Sequence, residues 1–336
     1  VTIMEFTDRV FLSNYSLEAI SAASPASGAA FVFLVLFGGI GSYCGVFIAQ
    51  YVGAGRNKQV GAMLWQGIYF TMFAGVALLF IAFFLSGPIF ALAGHGPEIQ
   101  RLETLYFRIL CSGGVFYVAS QTLSSFFNGR GLTRPVMVVS IIGMLLNIPL
   151  DYCLIFGWSF FPKLGIAGAG VATVFSSASI TLILVVLIFR ATHEDRFKVM
   201  SNRAFSLDLL RRLLRFGVPG SMQLCIDISA FVIFIMLVGR LGVEELAATN
   251  IALSISAIAF MPSYGVSQGV AVLVGQALGR KRPDQGGYAT VSAIHLLVLY
   301  ILLVDLLFIF SPQIVVAIFI PETAAAAEYA PVTEQA

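Results

Sequence analysis

Long apolar runs, separated by short clusters of charge, glycine and proline, form the dominant pattern of this chain. The clearest run extends from Leu246 to Gly279 without a charged side chain and is followed at once by Arg280, Lys281 and Arg282. A helix that crosses a bilayer needs about 20 mostly apolar residues. Because this run is longer, it predicts a transmembrane helix that tilts or projects, with its terminal cations among the lipid headgroups.

The same pattern recurs along the chain and predicts about nine transmembrane spans, the first of them incomplete and ending near Leu12. The other predicted spans cover 26–52, 60–87, 99–128, 135–157, 167–190, 216–239, 246–279 and 286–311. Residues 206–215, SLDLLRRLLR, predict a short amphipathic helix on the membrane surface before the seventh span. The final segment, PETAAAAEYAPVTEQA, predicts a polar linker.

Composition supports a membrane protein and removes several other classes. The 336 residues are 59% hydrophobic and 11% charged, whereas soluble domains carry about 25% charged residues. The net charge of +2 gives no reason to expect a nucleic-acid partner, and the four cysteines lack metal-binding spacing. No GxxxxGK[ST] loop for ATP is present. We therefore expect an all-α polytopic membrane protein, with no cofactor and no enzymatic activity.

The basic residues predict how the protein is oriented. Of the 19 lysines and arginines, 14 lie in the connections after even-numbered spans: Arg56, Lys58, Arg130, Arg134, Arg190, Arg196, Lys198, Arg203, Arg211, Arg212, Arg215, Arg280, Lys281 and Arg282. The other cations lie at or near the opposite ends: Arg9, Arg101, Arg108, Lys163 and Arg240. Positive loops usually stay in the cytoplasm, so we expect the even-numbered ends there, in a multi-pass protein of the plasma (inner) membrane.

Two of these basic ends have related sequences. AQYVGAGRNKQVG at 49–61 and GQALGRKRPDQGG at 275–287 align at an offset of 226 residues. At that offset the identical pairs are Glu18/Glu244, Ala22/Ala248, Gly39/Gly265, Gln50/Gln276, Gly53/Gly279, Arg56/Arg282, Gln59/Gln285 and Gly61/Gly287. The matches predict an internal repeat. Because an even number of spans separates the copies, the repeats are expected to be parallel.

The repeat also predicts the domain organisation. We expect an N-terminal lobe at 1–192 with spans one to six, a cytoplasmic linker at 193–215, and a partial C-terminal lobe at 216–336 with spans seven to nine. Two copies at this offset would need about 450 residues. We therefore expect a fragment that lacks the start of the first helix and the end of the second lobe, and that does not transport by itself.

Several motifs, in this order and spacing, resemble the multidrug and toxic compound extrusion (MATE) family along the whole chain. They are DRVFLSN at 8–14, AQYVGAGR at 49–56, FFNGRGLTRP at 126–135, LNIPLDYCLIFG at 146–157, GIAGAGVAT at 165–173, GVPGSMQL at 217–224 and MPSYGVSQGVAVLVGQALG at 261–279. The resemblance implies two six-helix repeats of the MOP superfamily. It also implies an antiporter that exports amphipathic, often cationic compounds in exchange for Na⁺ or H⁺.

Ionisable residues within predicted spans mark a candidate ion site, because charge is costly inside a membrane. Asn147 and Asp151 are four residues apart and therefore share a helical face. In the family an Asp on the first helix, an Asn and an Asp on the fifth and a Thr on the sixth form a cation site. The resemblance assigns these roles to Asp8, Asn147, Asp151 and Thr173. The alternative for Asp151, which follows Pro149, is to cap a break in the helix.

The resemblance also points to Asp227 on the seventh span, where many sodium-coupled relatives carry Glu. We expect Na⁺ at Asp8, Asn147 and Asp151, or H⁺ on a carboxylate, and no other metal. Asp305 lies within the last predicted span and has no role in the resemblance.

Two other functions remain open from the sequence. A lipid-linked oligosaccharide flippase of the same superfamily would favour a cationic cavity, whereas the charges within these spans are mostly acidic. A polytopic enzyme such as a prenyltransferase would need a DxxxD pair at a helix end, which is absent. We expect a monomer whose partners are small amphipathic or cationic substrates and the lipid bilayer.

Overall fold

The computed structural model describes residues 2–93, 95–158, 161–190, 196–238 and 243–310, and this part of the chain is helical. The helices in chain order are α1 (Thr2–Tyr15), α2 (Leu17–Ser42), α3 (Cys44–Gly53), α4 (Asn57–Phe80), α5 (Ser86–Ala93), α6 (Pro97–Ser112), α7 (Gly114–Asn128), α8 (Thr133–Phe156), α9 (Ile166–Ile188), α10 (Leu207–Val238), α11 (Val243–Gly279) and α12 (Pro283–Phe310). A π-helical turn, Ile81–Leu85, joins α4 to α5. The predicted polar end of the chain lies outside the described residues.

The predicted spans are present as helices, but their boundaries and breaks differ. The second span begins at Leu17 rather than near residue 26, and the fourth divides into α6 and α7 at Gly113. The segment 206–215 was expected to form a short amphipathic helix leading into the seventh span, and its place on the membrane surface stays a prediction. Residues from Leu207 onward form the first turns of α10, which continues without interruption into the seventh span. Leucine and arginine both favour helices, and neither glycine nor proline separates this segment from the apolar residues that follow at once. Helix propensity therefore gives no reason for the helix to end before the seventh span.

Five helical segments among the described residues are long and apolar enough to cross a bilayer: Leu17–Gly53, Asn57–Leu92, Thr133–Phe156, Ile166–Ile188 and Pro283–Phe310. The other predicted spans correspond to α1, to α6 with α7, to α10 and to α11. The protein is therefore an all-α polytopic membrane protein.

The chain forms two compact units, Val1–Cys225 and Ile226–Ala336. The first half of α10 belongs to the first unit because its small residues pack on α2. A Cβ at Gly217 would lie 3.3 Å from the Ile40 side chain, and the Cys225 thiol is 3.6 Å from the Val32 carbonyl oxygen. The lobe boundaries predicted from the repeat remain a prediction.

Close packing through small residues holds the first unit together. A Cβ at Gly41 of α2 would meet the Thr122 hydroxyl of α7, and one at Gly67 of α4 would lie 2.6 Å from the Thr122 methyl group. Thr122 also shares a 3.0 Å hydrogen bond with Thr71 of α4. Small residues let membrane helices approach closely and satisfy hydroxyl groups between helices. This core fixes α2, α4 and α7 against one another.

The internal repeat is visible in the backbone of the two basic turns. In the first turn the backbone N–H of Ala54 donates to the Gln50 carbonyl, that of Gly55 to Val52, that of Arg56 to Tyr51 and that of Gln59 to Arg56. In the second turn the N–H of Arg280 donates to the Gln276 carbonyl, that of Lys281 to Leu278, that of Arg282 to Ala277 and that of Gln285 to Arg282. Every donor and every acceptor is displaced by the same offset as the sequence repeat. The repeat predicted from the identities is therefore present in the turn structure.

Both turns contain a residue in the left-handed region, with φ of 69° at Gly55 and 58° at Lys281. A left-handed residue just after a helix, with hydrogen bonds back to its last turn, is a common way to end helices. Gly131, at φ 77°, ends α7 in a similar way. Three of the basic connections thus begin with the same kind of helix end.

The connection after α9 is fastened to α4. Gln66 donates to the Ala204 carbonyl at 3.0 Å and accepts from the Ser206 amide at 3.1 Å. Trp65 donates its indole N–H to the Val199 carbonyl at 2.6 Å. The Arg130 guanidinium lies 4.4 Å from the centre of the Phe197 ring. Its burial, together with the nearby charge of Arg196, lowers the pKa of Arg130 from 12.5 to about 10.

Candidate functional site

The pairing of α8 with α9 places the central residues of the candidate site. At one level, the Ser176 hydroxyl donates to the Gly143 carbonyl at 2.6 Å. At a second level the helices touch at Gly168, where an added Cβ would lie 2.5 Å from the Leu154 carbonyl carbon. The two helices are antiparallel, so one turn beyond the Gly143 contact Asn147 comes to the level of Thr173. Close helix contact above and below therefore holds these positions together.

The first helix adds the other carboxylate. Asp8 of α1 accepts a hydrogen bond from the Thr173 hydroxyl at 3.4 Å, a contact between residues 165 positions apart in the chain. The Asp151 carboxyl lies beside both the Asp8 carboxyl and the Asn147 amide. Asp8 is 7% exposed, and Asn147 and Asp151 are completely buried. The structure therefore brings together the four residues that the resemblance assigned to one site.

The polar atoms of this cluster are mostly unpaired. Among the residues that the structure describes, Asp8 Oδ1, both side-chain polar atoms of Asn147 and both carboxyl oxygens of Asp151 have no hydrogen-bond partner. Leaving a buried polar atom without a partner costs about 1–3 kcal/mol, and more when it is charged. Four oxygens and an amide nitrogen of this buried cluster therefore lack the partners that burial demands. A cation could bind to the oxygens, and a proton on one carboxyl group would let it donate to another oxygen.

Asp151 is not at a helix end. Helix α8 continues through Pro149 to Phe156 and ends at Gly157, which is left-handed. The carboxyl group is thus in the interior of a helix, where the backbone amides are already bonded within the helix. A capping role at a helix break does not fit this position.

An aromatic cluster that the sequence did not reveal joins the C-terminal parts of α1 and α8. Phe11 packs edge-on against Tyr152 at 5.8 Å, and Tyr152 lies 5.1 Å from Phe156. Tyr15 contacts Phe156 at 6.3 Å and carries the Lys163 ammonium group 5.1 Å from its ring centre. Phe11 and Tyr152 follow Asp8 and Asp151 within one turn, so the rings join α1 to α8 next to the polar cluster.

Asp227 is not part of this cluster. It lies on α10 beyond the end of the first unit, and its side chain is exposed. Asp305 of α12 is also exposed. Within the described residues no group of three or more His, Cys, Asp or Glu has the arrangement of a metal site. The site at Asp8 consists of two carboxylates with neutral oxygen groups, which are ligands for hard cations.

The fold defines the class of protein. A MOP superfamily transporter from Pyrococcus furiosus superposes with a TM-score of 0.84 over 98% of this chain and 73% of that protein, at 22% identity. A multidrug resistance MATE family transporter of that superfamily, in an outward-facing conformation, superposes with a TM-score of 0.83 over 99% of this chain and 72% of its own, also at 22% identity. The chain therefore shares the fold of these two transporters.

The sequence comparison gives the family. The MatE family model matches residues 1–153 and 219–333, so the chain belongs to the MatE family. A probable multidrug resistance protein NorM of Listeria innocua is 28% identical over 280 residues, which are 83% of this chain and 61% of that protein. The multidrug resistance protein NorM of Aliivibrio fischeri is 28% identical over 287 residues, or 84% and 62% of the two chains. The chain thus spans about 61% of the length of such relatives.

Proposed function

We propose that the protein containing this chain is a secondary active antiporter that exports amphipathic, often cationic compounds in exchange for Na⁺ or H⁺. The observation that carries the proposal is the buried cluster of Asp8, Asn147 and Asp151, with its unpaired oxygens. The names of the NorM relatives, which are multidrug resistance proteins, support the substrate class. The flippase alternative is not favoured by these relatives.

Electrostatics explains how the cluster can couple to an ion gradient. Two carboxylate charges close together in a buried site repel each other. A bound proton neutralises one of the charges, and a bound Na⁺ is attracted by both, so either relieves this repulsion. A ligand shifts a conformational equilibrium only by its difference in affinity for the two states. The cluster lies between α1, α8 and α9, so ion occupancy would favour the state in which these helices remain together.

The direction of export follows from the predicted orientation. The basic connections after even-numbered spans would face the cytoplasm, where the substrate is taken up. The site at Asp8 lies toward the C-terminal ends of α1 and α8, which would face outward, so an ion could enter it from outside. Inward movement of the ion would then drive outward movement of the substrate.

The test is Asp151→Asn in the protein that contains this chain, reconstituted into proteoliposomes. Asparagine keeps the size of the side chain and removes the ionisable group, so it imitates a permanently protonated site. We expect the variant to bind a fluorescent lipophilic cation with unchanged affinity but to lose its efflux under both imposed Na⁺ and imposed H⁺ gradients. Measuring efflux separately under each gradient in the unmodified protein identifies the ion.

Asp208→Asn is the matched control. It makes the same chemical change at an exposed position in the first turn of α10, and we expect efflux to be retained. Gradient-driven efflux from a protein with neutral residues at both Asp8 and Asp151 would contradict the proposed coupling site.

A further inference from the structure

One face of α6 has features that transport at the Asp8 cluster does not explain. Arg101, Leu105 and Arg108 are spaced four and three residues apart, so they follow one line along the helix. All three are exposed, whereas Glu103 and Phe107 on the opposite face are completely buried. The line of exposed residues contains two arginines at the end of the bundle away from the basic turns, where this chain has few cations.

The length of the apolar stretch that follows places these arginines at the membrane boundary. There is no charged residue between Arg108 and Arg130. At 1.5 Å per helical residue this stretch spans about 30 Å, which is the thickness of the hydrocarbon core. With Arg130 at one surface, Arg108 lies at the other, and Arg101 lies about 10 Å farther out, among the headgroups.

Arg108 is held in position by a buried residue. Its Nε donates a 2.9 Å hydrogen bond to the hydroxyl of Ser86, which is completely buried between α5 and α6. This bond occupies one edge of the guanidinium and leaves the terminal nitrogens for a ligand. A fixed planar guanidinium can hold a phosphate through two parallel hydrogen bonds.

Neither arginine has an acidic partner among the described residues. The ion pair recorded in this part of the chain joins His95 to Glu103 at 2.7 Å, on the other face of α6. Glu98 lies one turn before Arg101 but forms no ion pair with it within 4.0 Å. Within the described ranges, no ion pair therefore neutralises the positive charge of Arg101 or Arg108.

The arginines border an open cleft. Its volume is about 480 Å³, and it is lined by Pro97, Gln100, Arg101, Thr104, Leu105 and Arg108. Binding sites for small ligands commonly have volumes of about 300–1,000 Å³. The wall combines two cations, an amide and a hydroxyl with the apolar Pro97 and Leu105. This is the composition expected for a charged group joined to an apolar body.

We propose that this cleft binds the phosphate headgroup of an anionic phospholipid in the leaflet opposite the basic turns. The arginines and Thr104 would hold the phosphate, and the acyl chains would lie along the exposed side of α6 below Leu105. The same chemistry would suit a free phosphate ion, but a site at the hydrocarbon boundary with an apolar lower wall favours the lipid. The inference does not depend on the proposed antiport.

The test measures how well the purified protein in neutral detergent retains phosphatidylglycerol relative to phosphatidylcholine, by native mass spectrometry. An arginine near a membrane surface contributes about 1 kcal/mol to binding anionic lipid, or about fivefold in affinity. We expect Arg101→Gln with Arg108→Gln to lower the preference for phosphatidylglycerol by roughly 25-fold. Arg101→Gln alone, which breaks no hydrogen bond in the described part of the chain, should lower it about fivefold.

The control is the double variant Lys58→Gln and Arg134→Gln, which changes the net charge equally at exposed positions of the basic turns. Because the cations of the basic turns can also attract anionic lipid, the assignment requires the α6 double variant to lose more of the preference for phosphatidylglycerol than this control. In a parallel arm, inorganic phosphate is titrated as the competitor. Equal retention of the two lipids, an unchanged preference in the α6 variants, or displacement of the lipid by millimolar phosphate would overturn the assignment.

Discussion

The close contact between α8 and α9 at Gly168 gives the sharpest structural prediction. A Cβ added there would lie 2.5 Å from the Leu154 carbonyl carbon and 2.9 Å from the Ile155 amide nitrogen. Carbon atoms in favourable contact are about 3.5–4.0 Å apart. Because the obstacle is backbone, no side-chain rotation can relieve it, and Gly168→Ala must move the helices apart by about 1 Å.

The expected cost follows from two opposing effects. Overpacking of this kind costs about 1–3 kcal/mol, and the value should lie near the upper end because the backbone must move. Alanine recovers up to about 1 kcal/mol through its higher helix propensity. The net loss of about 2 kcal/mol should lower the Tm by roughly 5 °C. Since Asp151 is one turn from Leu154, the movement should also separate the site residues and weaken stabilisation by the coupling ion.

The assay is thermal unfolding of the purified protein in detergent, followed by loss of helical circular dichroism with and without the coupling ion. Gly28→Ala is the control because Gly28 lies within α2 and an added Cβ meets nothing within 4 Å. It should leave the Tm unchanged or raise it. The reasoning is refuted if Gly168→Ala behaves like Gly28→Ala in both Tm and ion stabilisation.

Two further predictions concern the basic turns. Gly55→Ala should destabilise the protein by about 1 kcal/mol, because φ is positive there. By the same argument Lys281→Gly, at the equivalent left-handed position, should raise the unfolding midpoint, and a loss of stability in both variants would contradict the shared turn. The third prediction concerns orientation. In a background without the four native cysteines, a single cysteine at Thr133 or Pro283 should resist an impermeant thiol reagent applied from outside, whereas rapid external labelling of both would reverse the proposed orientation.

Much of the fold could be predicted from the sequence, because a bilayer imposes simple length and charge rules. The charge-free run from Leu246 to Gly279 and the basic cluster after it follow directly from those rules, and α11 ends at Gly279. The offset between Gly53 and Gly279 likewise predicted a repeat that the turn hydrogen bonds display. Helix breaks were harder: nothing in the charge pattern indicated that one span would divide at Gly113.

The candidate site shows where sequence reasoning ended. Spacing alone placed Asn147 and Asp151 on one helical face, but Asp8 and Thr173 were added only by the family resemblance. Their hydrogen bond joins residues 165 positions apart, and local periodicity carries no information about which helices become neighbours. The aromatic contacts between α1 and α8 were missed for the same reason, since each ring by itself resembles any other apolar residue of a span.

The sequence by itself determined that this is a helical membrane protein with a repeated basic turn, because apolar length and charge position act locally along the chain. Only the tertiary structure decided which buried faces meet, because small residues such as Gly41, Gly143 and Gly168 select the partners by allowing close approach. That packing turns separate acidic residues into one cluster with unpaired oxygens. It also turns two arginines of α6, which the sequence showed only as isolated cations, into the wall of a cleft.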